Sequence, residues 1–149
     1  MNKKIKKKPK ANLNPRSKKQ PRLDPSIPTS SLQLKPSWKF ESIDIKGPWG
    51  WGDINREDLL SKVLKRIIAF ESMKWHEILN KKNHEIKISK ITVQARKRLE
   101  KLRLDDIESL VSLTIEGPIR IWGIKVHNYF KVLWWDPLHK VYQNPKKHT

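Results

Sequence analysis

The stretch SLVSLTIEGPIRIWGIKVHNYFKVLWWD, residues 109–136, decides the fold of this 149-residue chain. Apolar residues recur in it with a period of two, and turn residues interrupt the alternation at Gly117-Pro118, His127-Asn128 and Asp136-Pro137. Alternation between such turns is typical of antiparallel strands joined by hairpins. The stretch predicts a β-meander with strands at 109–116, 119–126 and 129–135, and 139–143 as a candidate fourth strand.

Toward the N-terminus, the period of the apolar residues becomes that of helices. Asn55 is a credible N-cap, and a helical stripe follows it: Leu59, Leu60, Val63, Leu64, Ile67 and Ile68. Further helices are predicted at 73–79, capped by Ser72, and at 89–104, and an extended segment at 38–45 precedes them all. Helices followed by a sheet predict an α+β fold, in which helices cover an antiparallel sheet of three to four strands.

Residues 1–37 differ in composition from the rest of the chain. They hold 11 Lys and Arg, a single Asp and six of the ten prolines, with no aromatic residue. So little apolar area cannot offset the entropy of ordering, which predicts a disordered basic tail before a single α+β domain at 38–149. The tail is interpreted as a nucleic-acid tether, and the alternative is a solubilising or localising segment.

The charge balance restricts the class of partner. The sequence has 33 Lys and Arg against 15 Asp and Glu, a formal net charge of +18 and a pI of about 10.2. Such a balance favours a polyanion: nucleic acid first and an anionic membrane surface second, with an acidic protein as a further alternative. Because no apolar run is long enough for a secretion signal or a membrane span, we expect no membrane partner and a cytoplasmic location.

Missing residues and motifs exclude several kinds of chemistry. The chain has no Cys, which excludes disulfides, Cys-ligated metal centres and a thiol nucleophile. The phosphate-loop, dinucleotide, zinc-protease and nucleophile-elbow motifs are also missing. The five histidines lack the spacing of a metal pair. We therefore expect no metal and no small-molecule cofactor.

A two-residue hairpin at His127-Asn128 would sort the two flanking strands onto two faces. The better core face comprises Ile119, Ile121, Lys125, Phe130, Val132 and Trp134. The other face interleaves cations with rings: Arg120, Trp122, Tyr129, Lys131 and Trp135. Rings that stack on bases and cations that contact phosphates suit single-stranded RNA. The alternative is that Trp122, Ile124 and Leu133 pack beneath a helix, and a three-residue loop would exchange the two faces.

Two further groups of residues could serve RNA. On the 89–104 helix, Arg96 and Arg98 are candidate RNA contacts, although charge of this kind is usually a solvated face. Metal-free RNA cleavage needs a base for the ribose 2′-proton, cations for the phosphorane and a donor for the leaving oxygen. Residues of suitable type lie on and after the meander: Arg120, Lys131, His139, Tyr142, Lys147 and His148.

The order of helices followed by a meander, with residues 113–124 running into 129–136, resembles the RelE/YoeB/HigB-type toxins. The resemblance covers about residues 92–149 and implies cleavage of mRNA on the ribosome, together with an acidic antitoxin as partner. It matches Arg120 to the strand arginine that meets the scissile phosphate, and His148 to the C-terminal histidine of the YoeB-like branch. Glu108 and Glu116 are candidates, by position, for the carboxylate base of that branch.

The favoured hypothesis is therefore an RNA-targeting protein of the RelE-like toxin type, with a basic tail that raises its affinity for RNA or the ribosome. One alternative is a non-catalytic RNA- or ribosome-binding module. Another is an accessory protein that docks a protein partner through exposed rings. The enzyme differs from the binder because single substitutions at Arg120 or His148 would abolish its effect without weakening binding.

Overall fold

The computed structural model describes residues 30–143. Residues 1–29 and 144–149 lie outside it, and with them most of the predicted tail. The strands are β1 (Ser37–Lys39), β2 (His84–Lys87), β3 (Ser109–Glu116), β4 (Ile119–Val126) and β5 (Tyr129–Asp136). The helices are α1 (Arg56–Asp58), α2 (Leu64–Glu71), α3 (Trp75–Ile78) and α4 (Val93–Lys101), and a π-helical turn (Leu59–Val63) joins α1 to α2.

The fold is α+β, and its sheet has five strands in the order β1-β5-β4-β3-β2. The meander of β3, β4 and β5 is confirmed, but the prediction of a purely antiparallel sheet of three to four strands is wrong. β1 joins the edge of β5 in the parallel direction, and β2 pairs antiparallel with β3. Residues 139–143 form no strand. No helix among the described residues is long and apolar enough to cross a membrane.

Local sequence explains most helix ends. The Asn55 side chain accepts a hydrogen bond from the Asp58 N–H at 2.7 Å, as predicted for an N-cap. Helix α4 begins after Thr92, whose hydroxyl accepts from the Ala95 N–H. The predicted cap at Ser72 is wrong, because Ser72 ends α2 and Lys74 precedes α3.

The meander turns where the sequence predicts, at Gly117-Pro118 and His127-Asn128. Gly117 and His127 both adopt left-handed backbone conformations, with φ of 55° and 59°. Tight hairpins require such a conformation, which Gly tolerates better than His. Pairing of Val126 with Tyr129 and of Ile124 with Lys131 confirms the two-residue hairpin.

Two hydrophobic cores lie on opposite faces of the sheet. Helices α2 and α3 cover the first core, which contains Phe70, Trp75, Ile121, Phe130 and Trp135. Helix α4 and the loop at Trp49 cover the second core, which contains Leu99, Trp122, Leu133 and Trp134. All seven Trp of the chain are buried or half-buried between these layers.

Candidate functional site

The predicted RNA-binding face is not an open surface. Trp122 is completely buried in the second core, so it cannot stack on a base, and the alternative that it packs beneath a helix is correct. Trp135, predicted on the same face, lies in the first core instead. The prediction that Trp122 and Trp135 stack on RNA bases is therefore wrong.

A β-bulge in β5 explains where the two rings lie. Gly123 pairs with Val132, but Trp122 pairs with Trp134, so Leu133 is an extra residue in β5. One extra residue reverses the side-chain alternation beyond it. Trp134 therefore joins the second core rather than the predicted first core, and Trp135 takes its place.

Asp136, at the end of β5, organises the segment that follows. Its carboxylate is fully buried and accepts hydrogen bonds from Trp122 Nε1–H at 3.1 Å, from the Lys140 N–H at 2.8 Å and from the Val141 N–H at 3.0 Å. The Thr92 N–H also donates to the Val141 carbonyl. These bonds hold residues 137–141 against the start of α4 and fix the position of His139.

Three of the predicted catalytic residues meet around this segment. Arg120 opens β4 opposite Asp136, and its guanidinium donates to the Gly117 carbonyl at 2.7 Å. The rings of His139 and Tyr142 are 6.5 Å apart between centroids, in an edge-on arrangement. Arg120 pairs across the strands with Asp136, three residues before His139, and its charge lowers the pKa of His139. We call Arg120, His139 and Tyr142 the RHY cluster.

The RHY cluster keeps its histidine uncharged near neutral pH. Burial lowers the pKa of His139 below its ordinary value of 6.5, the Arg120 charge lowers it further, and Asp136 opposes the shift. Burial also lowers the pKa of Arg120, but guanidinium remains protonated in proteins. The cluster therefore places a neutral imidazole, able to accept a proton, beside a permanent cation.

His139 also has an unusual backbone. Its φ of 56° lies in the left-handed region, which residues other than Gly adopt uncommonly and in which Asn, Asp and His are the most frequent of them. Two other described residues besides Gly have a positive φ: Arg103 follows the end of α4, and His127 lies in the hairpin turn between β4 and β5. Strained residues of this kind cluster at functional sites.

Tyr129 and Lys131 lie at the opposite end of β5 from the RHY cluster. Tyr129 is 40% exposed, and Lys39 of β1 places its ammonium 4.6 Å from the ring centroid. Lys131 pairs with Glu41 at 3.1 Å. Tyr129, Lys131 and Lys39 therefore form a basic aromatic patch at the hairpin end, which we call the hairpin patch.

The two predicted RNA contacts on α4 are held by internal partners. Arg98 forms a bidentate pair with the buried Asp44, at 2.9 and 2.8 Å. Arg96 donates to the carbonyls of Ser89 and Ile91. Both guanidiniums therefore stabilise local structure, and neither points freely to solvent.

The remaining predicted site residues are distributed as follows. Lys147 and His148 lie outside the described residues. Glu108 and Glu116 are exposed at opposite ends of β3. Among residues 30–143, no group of three or more His, Asp or Glu is placed to hold a metal ion.

Sequence reasoning missed Asp136, Asp44 and Lys39. Asp136 was assigned only to a turn, although a carboxylate at a strand end before Pro often binds nearby backbone N–H groups. Asp44 lay within a predicted strand, and only the tertiary fold brings it to Arg98. Lys39 reaches Tyr129 because β1 is parallel to β5, which no local pattern indicates.

Comparison of the chain with protein-family models, with curated proteins and with solved structures finds no match.

Proposed function

We propose that this chain is an RNA-targeting protein of the RelE-like toxin type, which cleaves mRNA on the ribosome by metal-free acid/base chemistry at the RHY cluster. The observation that carries the proposal is the convergence of Arg120, His139 and Tyr142 around the buried Asp136. These residue types are those that such cleavage requires, and the fold brings Arg120 of β4 to the segment after β5 that carries His139 and Tyr142. The basic residues of 1–37 would add phosphate contacts and raise the affinity for RNA.

The chemistry follows from the charge states of the cluster. The neutral imidazole of His139 takes the proton of the ribose 2′-hydroxyl, and the 2′-oxygen forms a bond to phosphorus. Arg120 stabilises the negative charge that builds on the phosphorane oxygens. The bond from phosphorus to the 5′-oxygen breaks as that oxygen takes a proton from the Tyr142 hydroxyl. The products are a 2′,3′-cyclic phosphate and a 5′-hydroxyl end.

A second candidate function is a non-catalytic RNA- or ribosome-binding module, which the hairpin patch favours. An exposed ring beside Lys39 is suited to stack on a base while that ammonium group meets a phosphate, and Lys131 would exchange its Glu41 partner for a second phosphate. This patch lies one strand length, roughly 20 Å, from Arg120, so the two regions can be tested separately.

The test is expression of the full chain in a bacterium, with mRNA 5′ ends mapped by sequencing. Wild type should produce new 5′-hydroxyl ends, and His139→Gln should reduce them at least about 100-fold, as expected for loss of a general base. His84→Gln, which changes an exposed histidine of β2, is the matched control and should leave cleavage unchanged.

The outcomes separate the candidate functions. If Tyr129→Ala weakens ribosome association while His139→Gln does not, each region performs its proposed role. If wild type associates with RNA but leaves mRNA intact, the enzyme proposal fails and the binding module replaces it. If wild type shows neither activity, both proposals fail.

A further inference from the structure

A cavity lies at the β2 edge of the sheet, where β2 ends and β3 begins. It has a volume of about 420 Å³, within the range of roughly 300–1,000 Å³ that is typical of small-molecule sites. β2 is the last strand in the sheet order, so no further strand among the described residues covers this side. No residue of the RHY cluster or of the hairpin patch lines the cavity, so it is distinct from both regions proposed to serve RNA.

The walls of this cavity are held in place by hydrogen bonds and core contacts. The Ile88 N–H donates to the Glu108 carbonyl at 2.9 Å, which joins the end of β2 to the segment before β3. Arg96 of α4 donates to the Ser89 carbonyl at 3.2 Å and fixes the wall on that side. Ile88 and Ile107 pack against the second core and line the cavity. The cavity therefore has an apolar surface within a frame that is already formed.

Charged side chains of both signs line the same cavity: Lys87, Glu85 and Glu108. None of them forms an ion pair with any residue of 30–143. The Glu85 carboxylate accepts a hydrogen bond from the Ser109 hydroxyl, whereas the side chains of Lys87 and Glu108 have no polar partner in that part of the chain. All three are exposed, so a ligand can reach them from solvent. Unpaired charges of opposite sign around one cavity suit a ligand that carries both signs itself.

We propose that this cavity binds a free α-amino acid with an apolar side chain. The carboxylate of the ligand would pair with Lys87 and its ammonium group with Glu108, in charge-assisted hydrogen bonds. Its side chain would lie on Ile88 and Ile107, which supply the apolar part of the site. Glu85, held by Ser109, adds a second negative charge for the ammonium group.

Other classes of ligand fit the cavity less well. A phosphate group, free or in RNA, would meet two carboxylates and a single ammonium group, so the charges at the site oppose it. A polyamine would leave Lys87 unpaired and would bring further positive charge to a chain whose formal net charge is +18. An uncharged apolar molecule would use only the two isoleucines. A zwitterion with an apolar side chain matches all three features of the lining.

The experiment is an NMR titration of the full chain, labelled with ¹⁵N, with leucine and three analogues. N-acetylleucine lacks the ammonium group, leucine methyl ester lacks the carboxylate, and glycine lacks the apolar side chain. Leucine should cause saturable shifts of the amide signals of the residues that line the cavity, with a Kd of about 1 mM or below. Each analogue should bind at least about tenfold more weakly.

Variants then assign each charge of the ligand to its partner. Lys87→Met should weaken leucine binding at least about tenfold and remove the preference for leucine over its methyl ester. Glu108→Gln should weaken it similarly and remove the preference over N-acetylleucine. Lys97→Met and Glu100→Gln, which make the same changes at exposed positions of α4 outside the cavity, should leave binding within about twofold. All four side chains are exposed, so the fold should tolerate each change.

Three results would overturn the proposal. The first is the absence of saturable shifts with leucine at about 10 mM, ten times the highest expected Kd. The second is equal binding of leucine and either N-acetylleucine or the methyl ester, which would show that the site recognises only one charge, as at the end of a peptide chain. The third is an equal loss of binding in the α4 variants. None of these measurements uses RNA, so their failure is distinguishable from failure of the proposed cleavage.

Discussion

Replacement of Arg98 by Ala should lower the free energy of unfolding by about 3 kcal/mol at pH 7. The guanidinium makes two charged hydrogen bonds to Asp44, whose carboxylate is almost fully buried. Removal of one partner from a buried ion pair costs about 3–5 kcal/mol. The lower end applies because the Arg98 side chain is 20% exposed, so water can approach the unpaired carboxylate. Asp44 would also keep its bonds from Trp134 and Gly47.

The pH dependence provides a second measure of the same interaction. Burial raises the pKa of Asp44, but hydrogen bonds from Arg98, Trp134 and Gly47 outweigh it and leave the pKa below its usual value. A carboxyl with a lowered folded pKa contributes stability above its unfolded pKa, about 4, and loses it as the pH falls through the folded pKa. The difference between wild type and Arg98→Ala should therefore narrow below about pH 4.

The assay is urea unfolding followed by Trp fluorescence at pH 7 and at low pH. Lys97→Ala, one position away and exposed, is the matched control and should change stability by less than about 0.5 kcal/mol. A loss below about 1 kcal/mol in Arg98→Ala, or one equal to that of the control, would refute the structural role assigned to the pair.

Other substitutions test the remaining features. Trp122→Ala should lower the free energy of unfolding in urea by about 3–5 kcal/mol, because its ring is fully buried, whereas Tyr129→Ala should lower it by less than about 1 kcal/mol. Similar losses in the two variants would contradict the finding that Trp122 is buried and Tyr129 is exposed. His127→Gly should raise the free energy of unfolding by up to about 1 kcal/mol, since Gly favours the left-handed turn, and thermal melts would reveal any opposite sign. In an NMR titration, His139 should protonate below pH 6.5, so the stability that neutral His139 contributes to the fold is lost as the pH falls through that lowered pKa. Arg120→Met should raise the pKa of His139, because it removes the cation that lowers it. An unchanged titration curve in this variant would show that the two groups do not interact.

The meander was predictable because its alternation and its turn residues agree. The β-bulge at Leu133 was not, since no residue type marks a single unpaired position in an apolar run. Because of that one residue, Trp134 and Trp135 lie on the opposite faces of the sheet from those predicted. Trp135 is therefore not on the predicted RNA-binding face. Strand β2 was missed because Ile86 is its only buried side chain, which leaves no alternation to detect.

The candidate site was predictable in part. Arg120, His139 and Tyr142 were chosen by residue type, and the fold brings them together through Asp136, which only tertiary hydrogen bonds reveal. The apolar stripe that runs from α1 to α2 was detected, but periodicity does not indicate how much of a stripe its neighbours cover. Leu60, Leu64 and Ile68 remain exposed because the sheet covers only the side that carries Val63 and Phe70.

The strand order also determines when the sheet can be completed during synthesis. Among the strands of residues 30–143, β1 is made first, yet its parallel partner β5 is the last of them to leave the ribosome. The Asp44 N–H donates to the Leu133 carbonyl and the Trp135 N–H to the Trp49 carbonyl, so the loop after β1 depends on β5 as well. Contacts so distant in sequence form slowly, because a long loop must close before they contribute. A nascent chain whose β5 is still inside the ribosome would leave Trp38 and Trp49 without their strand partners, so we expect it to need chaperone protection until β5 has emerged.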